Sequence, residues 1–179
     1  MINREWILCK QAKQGNRKAG FELVDMFYRP IYQYLRRLCG NRQDAEDLAQ
    51  DTFVKVWSSL ESYRTSFKFT TWIYTIAYRT YVDRQRKKKY ISCLPDEWWR
   101  EGTDNNPGHL EEEADRQMAQ NLYEAVERLD EGKKLVVYLH YYQGVSLRET
   151  AKVLDIATST VKYRLREVIK ILRSEISWD

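Results

Sequence analysis

The sequence contains few of the residues that form turns between β-strands, with only 7 Gly and 3 Pro among 179 residues. A fold of many short strands needs frequent turns, and Gly and Pro are its main turn residues. Their scarcity excludes a many-stranded β fold and favours helices. No apolar run approaches the roughly 20 residues of a membrane span, so we expect no membrane insertion.

Cysteine and histidine are also scarce. Cys9, Cys39 and Cys93 are odd in number, far apart and without a CxxC pair, which favours neither a disulfide framework nor a zinc site. No nucleophile, metal-ligand group or phosphate-binding loop accompanies the two histidines, His109 and His140. We therefore expect no enzyme activity, no metal and no cofactor. Residues 1–14 lack the apolar segment of a signal peptide, so we expect a cytoplasmic protein.

Charge is distributed unevenly along the chain. Residues 1–95 hold 18 Lys/Arg against 9 Asp/Glu, residues 96–115 hold 1 against 8, and residues 116–179 hold 11 against 9. A basic front half is typical of proteins that bind a polyanion such as nucleic acid, although ordinary surface charge explains the excess equally well.

The acidic segment also carries turn-forming residues. Residues 91–115 include the stretch DNNPG, which is strong turn chemistry. We interpret the chain as all-α, with two small helical domains, 1–90 and 116–179, joined by an acidic linker, 91–115.

Helical periodicity dominates the first domain. It predicts a helix over 4–13 and a second from 17 that stops near Pro30, because proline suits a helix start but not its interior. The next helix would end at Gly40, a natural residue to follow a helix. Asp44 would cap another helix, whose apolar face is Ala45, Leu48, Ala49, Phe53, Val56, Trp57 and Leu60.

After a loop at 63–68, a last helix of this domain would cover 70–89. Four more helices are expected in the second domain, near 113–129, 131–143, 146–154 and 158–176.

Residues 146–173 have the pattern of a helix-turn-helix. Ser146 and Glu149 fit a capping box, Asp155 to Ala157 would form the turn, and Thr158 would cap the second helix. Val161, Leu165, Val168, Ile169 and Leu172 would face inward, with Lys162, Tyr163, Arg164 and Arg166 outside. Such an exposed basic helix suits the major groove of DNA. An ordinary helical hairpin with a solvated face remains the alternative.

The helix over 70–89 combines rings with cations. Tyr74, Tyr78 and Tyr81 recur at steps of four and three on one side, roughly opposite Trp72 and Ile73. Rings set among cations suit unpaired DNA, because bases stack on the rings while the cations hold phosphates. Alternatively, the tyrosines pack against a neighbouring helix and the basic run RQRKKK is solvated.

The helix before it is acidic inside a basic domain. Asp47 and Asp51 stand four residues apart, so their carboxylates repel each other on the helix surface. This pattern indicates a basic protein surface as partner, and a merely solvated face is the alternative.

In this order, the pieces resemble the extracytoplasmic-function (ECF) branch of the sigma-70 family, over nearly the whole chain. The stretch AKQGNRKAGFELVDMFYRPIYQYLRRLCGNRQDAEDLAQDTFVKVW is similar to regions 2.1 and 2.2, SYRTSFKFTTWIYTIAYRTYVDRQRKK to regions 2.3 and 2.4, and the C-terminal block to region 4. The resemblance implies a non-catalytic subunit that directs RNA polymerase to promoters. Thr65, Thr70 and Glu167 depart from residues common in the family, which leaves the promoter sequence open.

The resemblance also implies site residues. The β′ clamp of core RNA polymerase would bind Asp44, Asp47, Gln50 and Asp51. The −10 element of promoter DNA would meet Tyr63, Arg64, Lys68, Trp72, Tyr74, Tyr78, Arg79, Arg86 and Lys87. The −35 element would meet Thr158, Ser159, Thr160, Lys162, Tyr163, Arg164 and Arg166. The β flap of the polymerase and an anti-sigma factor would be further partners of a chain that is monomeric when free.

Two other functions remain open from the residues alone. An independent helix-turn-helix regulator would not associate stably with core polymerase. If the protein works only through protein contacts, substitution of Lys162, Arg164 and Arg166 by alanine would leave promoter crosslinking unchanged.

Overall fold

The structure is a computed structural model that describes residues 4–64, 68–91 and 113–175. Every regular element within those ranges is helical. The predicted linker falls mostly on 92–112, outside the described residues. The chain forms two compact units, one built from the helices within residues 4–91 and the other from most of the helical residues within 113–175. No helix in the described ranges is long and apolar enough to cross a membrane.

The helices of the first unit have the expected order. They are α1 (Arg4–Lys13), α2 (Arg17–Cys39), α3 (Arg42–Ser59) with a 3₁₀ turn at Leu60–Ser62, and α4 (Phe69–Ile91). The second unit contains α5 (Glu113–Glu127), α6 (Glu131–Val137), a π-helical turn at Tyr138–Tyr142, α7 (Leu147–Leu154) and α8 (Thr158–Glu175). The sequence predicts nine helices, and the described residues form eight, because the two predicted on either side of Pro30 are one helix, α2. Gly40 adopts the left-handed conformation (φ 74°) that ends α2.

The predicted break at Pro30 is wrong, because α2 continues through that residue. Proline inside a helix costs about 3 kcal/mol through a lost hydrogen bond and a steric clash. Burial of each large apolar side chain offsets about 1.5–3 kcal/mol, and a buried stripe runs along α2 on both sides of Pro30. Its members are Leu23, Phe27, Ile31, Tyr34 and Leu35.

The predicted cap of α3 is also wrong. Asn41, not Asp44, precedes the helix, and its side-chain oxygen accepts from the backbone N–H of Asp44 at 2.8 Å. The Asn41 amide in turn donates to the Asp44 carboxylate at 2.8 Å. Asp44 therefore sits one turn inside α3, where the helix dipole favours a carboxylate.

Helix α3 buries the apolar residues that the sequence predicts, with one exception. Trp57 stays 38% exposed, and its ring lies over Gly20 of α2. A Cβ added at Gly20 would come within 3.2 Å of the Trp57 ring. The missing side chain at Gly20 therefore allows the ring to approach α2.

In the second unit, α8 packs against α6 and α5, and the π-helical turn contacts α6. Gln143 donates its N–H to the carbonyl of Tyr138, five residues earlier, at 3.1 Å. The Nδ1 of His140 donates to the carbonyl of Val145 at 2.7 Å, since a carbonyl can only accept. His140 is thus part of the turn that leads into α7.

One buried hydroxyl in the first unit lacks a partner. Tyr34 is fully buried, and within the described residues its hydroxyl makes no hydrogen bond. Burial raises the pKa of Tyr34 well above its ordinary value, and Tyr78, Tyr74 and Tyr81 add to this effect. The hydroxyl therefore stays neutral and carries an uncompensated desolvation cost.

We predict that Tyr34→Phe raises the free energy of unfolding by about 1 kcal/mol, because it removes an unsatisfied buried donor. Urea unfolding followed by tryptophan fluorescence measures the change. Tyr138→Phe is the matched control, since the Tyr138 hydroxyl donates to Glu127 at 2.5 Å and its loss should be destabilising. A loss of stability in Tyr34→Phe would show that the hydroxyl has a partner.

Candidate functional site

Helix α3 presents an acidic surface. Asp47, Gln50 and Asp51 are exposed, while Asp44 is half-buried at the start of the helix. Their positions fall on one side of α3 because residues three and four apart are neighbours on a helix. An open groove of about 410 Å³ runs beside them, between α3 and α4. The four predicted polymerase-binding residues are therefore brought together.

An arginine of α4 engages two of these carboxylates. The guanidinium of Arg84 lies 3.2 Å from Asp44 and 3.2 Å from Asp47. No sequence pattern indicated this pairing, because 37 residues separate Arg84 from Asp47 and the residues around Arg84 suggest a DNA-binding cation. Asp51 lines the same groove, but neither of these ion pairs includes it, and it remains exposed.

The cations predicted for the −10 element are on the surface. Arg64, Lys68, Arg79, Arg86 and Lys87 are all exposed, as a role in holding phosphates requires. Residues 65–67 of the predicted loop lie outside the described residues. The exposed cations flank the loop and continue along α4.

The aromatic residues of the same segment divide into two groups. Trp72 and Tyr78 are half-buried, whereas Tyr63, Tyr74 and Tyr81 are buried. The Tyr74 ring packs edge-on against Tyr34 of α2, with ring centres 5.3 Å apart, and burial raises the pKa of Tyr74. The buried rings of α4 therefore follow the alternative interpretation, in which the tyrosines pack against a neighbouring helix. Helix α4 contacts both α2 and α3, so it has two apolar sides.

The helix-turn-helix pattern forms as α7, a turn and α8. The capping box is confirmed, since the Ser146 N–H donates to Glu149 at 3.2 Å and the Glu149 N–H donates to the Ser146 hydroxyl at 3.3 Å. In the turn, Asp155 adopts φ 55°, the sole positive φ of a non-glycine residue in the described ranges. The backbone there has the left-handed conformation, which Asp adopts less readily than Gly.

Helix α8 begins one residue earlier than a Thr158 cap requires. Val161 donates its N–H to the carbonyl of Ala157, so Ala157 occupies the cap position and Thr158 is the first helical residue. Thr158 and Thr160 are half-buried, while Ser159, Lys162, Tyr163 and Arg166 are exposed. Val161, Leu165 and Val168 are buried as predicted, but Ile169 is 39% exposed.

The prediction that Arg164 points outward is wrong. Arg164 is half-buried and donates to the carbonyl of Gly132 in α6 at 3.2 Å. A Cβ added at Gly132 would lie 3.0 Å from the Arg164 guanidinium carbon, so the glycine creates room for the arginine. Arg164 thus connects α8 to α6 inside the second unit.

Known proteins match both units. The family profile of Sigma-70 region 2 matches residues 23–90, and that of Sigma-70, region 4 matches residues 119–172. The ECF RNA polymerase sigma factor SigW of Bacillus subtilis is 32% identical over 93% of this chain and 94% of its own. The ECF RNA polymerase sigma-E factor of Haemophilus influenzae is 27% identical over 91% and 92%.

Solved structures agree on the fold. CnrH, solved in complex with the cytosolic domain of CnrY, has a TM-score of 0.71 and 24% identity, covering 96% of each chain. RpoE of Bartonella quintana, solved with the anti-sigma factor NepR, has a TM-score of 0.76 and 18% identity, covering 90% of this chain and 99% of its own.

These matches and the helix-turn-helix define a DNA-binding transcription initiation factor. The chain belongs to the sigma-70 family of RNA polymerase sigma factors, in its ECF branch. As a member of that family it binds core RNA polymerase and promoter DNA and directs initiation at promoters.

We predict that Asp155→Gly stabilises the second unit by about 0.5–1 kcal/mol, because glycine adopts the left-handed turn without the Cβ clash but loses more backbone entropy on folding. Slower hydrogen exchange of α8 amides measures the gain. Asp155→Ala is the control and should give no gain. Equal destabilisation by both substitutions would contradict the backbone explanation.

Proposed function

We propose that three surfaces of this sigma factor have separate binding roles. The carboxylate side of α3 binds core polymerase at the β′ clamp, the 63–68 segment with α4 meets the −10 element, and α8 meets the −35 element. The observation that carries this assignment is the exposed acidic side of α3 within a basic unit. Carboxylates repel DNA phosphates, so the partner of that side is a basic protein surface.

At the −10 element, the exposed cations hold the DNA backbone. Arg64, Lys68, Arg79, Arg86 and Lys87 are proposed for this role. Trp72 and Tyr78 keep part of their rings at the surface and are proposed to contact bases. Tyr63 and Tyr74, which are buried, would act indirectly by holding α4 in place.

At the −35 element, the N-terminal half of α8 enters the major groove. Lys162, Tyr163 and Arg166 are proposed for direct contact, and Thr158, Ser159 and Thr160 lie at the helix start, where backbone N–H groups favour a phosphate. Arg164 would first have to leave the Gly132 carbonyl to reach DNA, so we assign it to support of α8.

The proposal includes no catalytic group and no cofactor, because the polymerase performs the chemistry. It places the protein in the cytoplasm, where its polymerase acts, as a monomer when free.

The solved relatives CnrH and RpoE are complexes with CnrY and with the anti-sigma factor NepR, and we propose an anti-sigma partner here too. The boundaries 1–90, 91–115 and 116–179 stay a prediction, and the two family matches fit inside the outer two segments.

The proposed function is tested by in vitro transcription with core polymerase and the purified chain, followed by sequencing of transcript starts. Selective initiation is expected. Failure to support initiation on any template would contradict the proposal.

We predict that Asp51→Lys weakens binding to core polymerase by about tenfold or more, because a charge reversal places like charges together across the interface. Asp51 is a cleaner site than Asp47, whose reversal would also place a lysine beside Arg84. Pull-down titration with core polymerase measures the affinity. Asp25→Lys, an exposed reversal on α2, is the control, and equal effects of the two variants would contradict the assignment to α3.

We predict that Lys162→Ala and Arg166→Ala each weaken promoter binding by about 1–3 kcal/mol if they contact a base, with relaxed preference at one −35 position. Fluorescence anisotropy of the holoenzyme on promoter variants measures both effects. Arg128→Ala removes the same charge from the second unit at an exposed ion pair with Glu124 and should be nearly neutral. Unchanged promoter affinity in both α8 variants would remove that helix from the interface.

A further inference from the structure

Helix α1 contacts both ends of the 63–68 segment, although the proposed function gives α1 no task. The ammonium of Lys13 donates to the backbone carbonyl of Tyr63 at 2.7 Å. The hydroxyl of Thr70 donates to the Glu5 carboxylate, 3.1 and 3.2 Å from its two oxygens. One helix therefore holds the first residue of the segment proposed to meet the −10 element and a residue two positions after its end.

The two contacts come from one side of α1. Glu5, Cys9 and Lys13 follow one another at intervals of four residues, which places them in line on a helix. Cys9, in the middle, is fully buried, and Tyr63 is 4% exposed. This side of α1 is thus a packed surface with a polar anchor at each end.

The electrostatics of the buried groups agree with this placement. Burial raises the pKa of the Tyr63 hydroxyl to about 12, with smaller contributions from Cys9 and Glu5. Burial and then Glu5 raise the pKa of the Cys9 thiol to about 12, against a lowering by Lys13. Tyr63, Cys9 and Glu5 therefore share one desolvated environment.

An aromatic cluster supports the segment from the other side. The Phe69 ring lies 5.2 Å from Phe27 and 5.5 Å from Tyr63, centre to centre, and Trp72 lies 4.9 Å from Tyr63. Tyr63, the first residue of the segment, and Phe69, the residue that follows it, are therefore fixed by packing in addition to the two contacts with α1. The exposed cations Arg64 and Lys68 stand between these fixed points.

We propose that α1 is a positioning element for promoter melting, in which Lys13 and Glu5 fix Tyr63 and Thr70 and thereby place Arg64 and Lys68, the neighbouring cations, before DNA arrives. The inference rests on the proposed −10 role of the 63–68 segment. Preorganisation increases affinity because less conformational entropy is lost when DNA binds. Lys13 and Glu5 act through Tyr63 and Thr70 and need not touch DNA.

The opposite charges of the two anchors separate this role from direct DNA binding. If the side chains acted on DNA phosphates, loss of Lys13 would weaken binding and loss of Glu5 would strengthen it. As anchors, both should have the same sign of effect. The sign of the Glu5 variant is therefore the decisive observation.

The test uses the full chain assembled with core polymerase, carrying Lys13→Met, Glu5→Ala or Thr70→Val. Promoter opening is followed by permanganate reactivity of unpaired thymines, and core binding is measured separately. Each variant is expected to reduce opening about three- to tenfold, the range for loss of one hydrogen bond, with core binding unchanged. Lys13→Arg keeps a donor and should restore opening.

Lys10→Met is the matched control. Lys10 is an exposed lysine of the same helix, and its ammonium lies over the Trp6 ring, 5.5 Å from the ring centre. It should open promoters as the unaltered protein does. Increased opening by Glu5→Ala, or equal losses in Lys10→Met and Lys13→Met, would overturn the proposal.

A second readout follows α1 without DNA. Alkylation of Cys9, identified by peptide mass, should become faster in Lys13→Met and Glu5→Ala but not in Lys10→Met. Cys39, half-buried in α2, is the internal reference, and parallel acceleration at both thiols would indicate general unfolding and contradict a local role. If the unaltered chain supports initiation while the anchor variants open promoters normally, this inference alone fails, whereas no initiation by the unaltered chain is failure of the proposed function.

Discussion

Burial of the apolar side of α2 holds the first unit together, because α1, α3 and α4 all pack against that helix. The buried stripe from Leu23 to Leu35 spans Pro30, and its burial outweighs the cost of a proline inside the helix. The same burial draws Tyr74 and Tyr81 of α4 inward. The residues that remain on the surface of the unit are mostly charged.

That remaining charge includes two surfaces of opposite sign. The exposed carboxylates Asp47 and Asp51 lie on α3, and the exposed cations Arg79, Arg86 and Lys87 lie on α4, with Arg64 and Lys68 in the 63–68 segment before it. Arg84 joins the two by lying between Asp44 and Asp47. A partly exposed ion pair of this kind contributes only about 0–1 kcal/mol, so its effect is on the orientation of side chains more than on stability. In the proposed function the first unit contacts both a protein and a polyanion, and separate acidic and basic surfaces allow it to bind the two at different places.

Local patterns predicted the helices well because their causes are local. The capping box of Ser146 and Glu149 and the glycine after α2 involve residues within a few positions of each other. Predictions that depended on distant residues were less successful. The outward placement of Arg164 failed because Gly132, in another helix, offers a carbonyl and the space to reach it. The aromatic stripe of α4 was ambiguous because a single helix pattern does not reveal how many neighbours will cover it.

The sequence by itself determined the fold class, the order of the helices, the acidic side of α3 and the helix-turn-helix, since periodicity, capping and charge spacing are properties of short segments. Tertiary structure alone decided which rings are buried and which cations pair with carboxylates. It also brought Glu5 and Lys13 of α1 to Thr70 and Tyr63, which are 65 and 50 residues away along the chain. The physical reason is that burial and ion pairing depend on what packs alongside, and contacts between distant residues leave no periodic trace in one sequence.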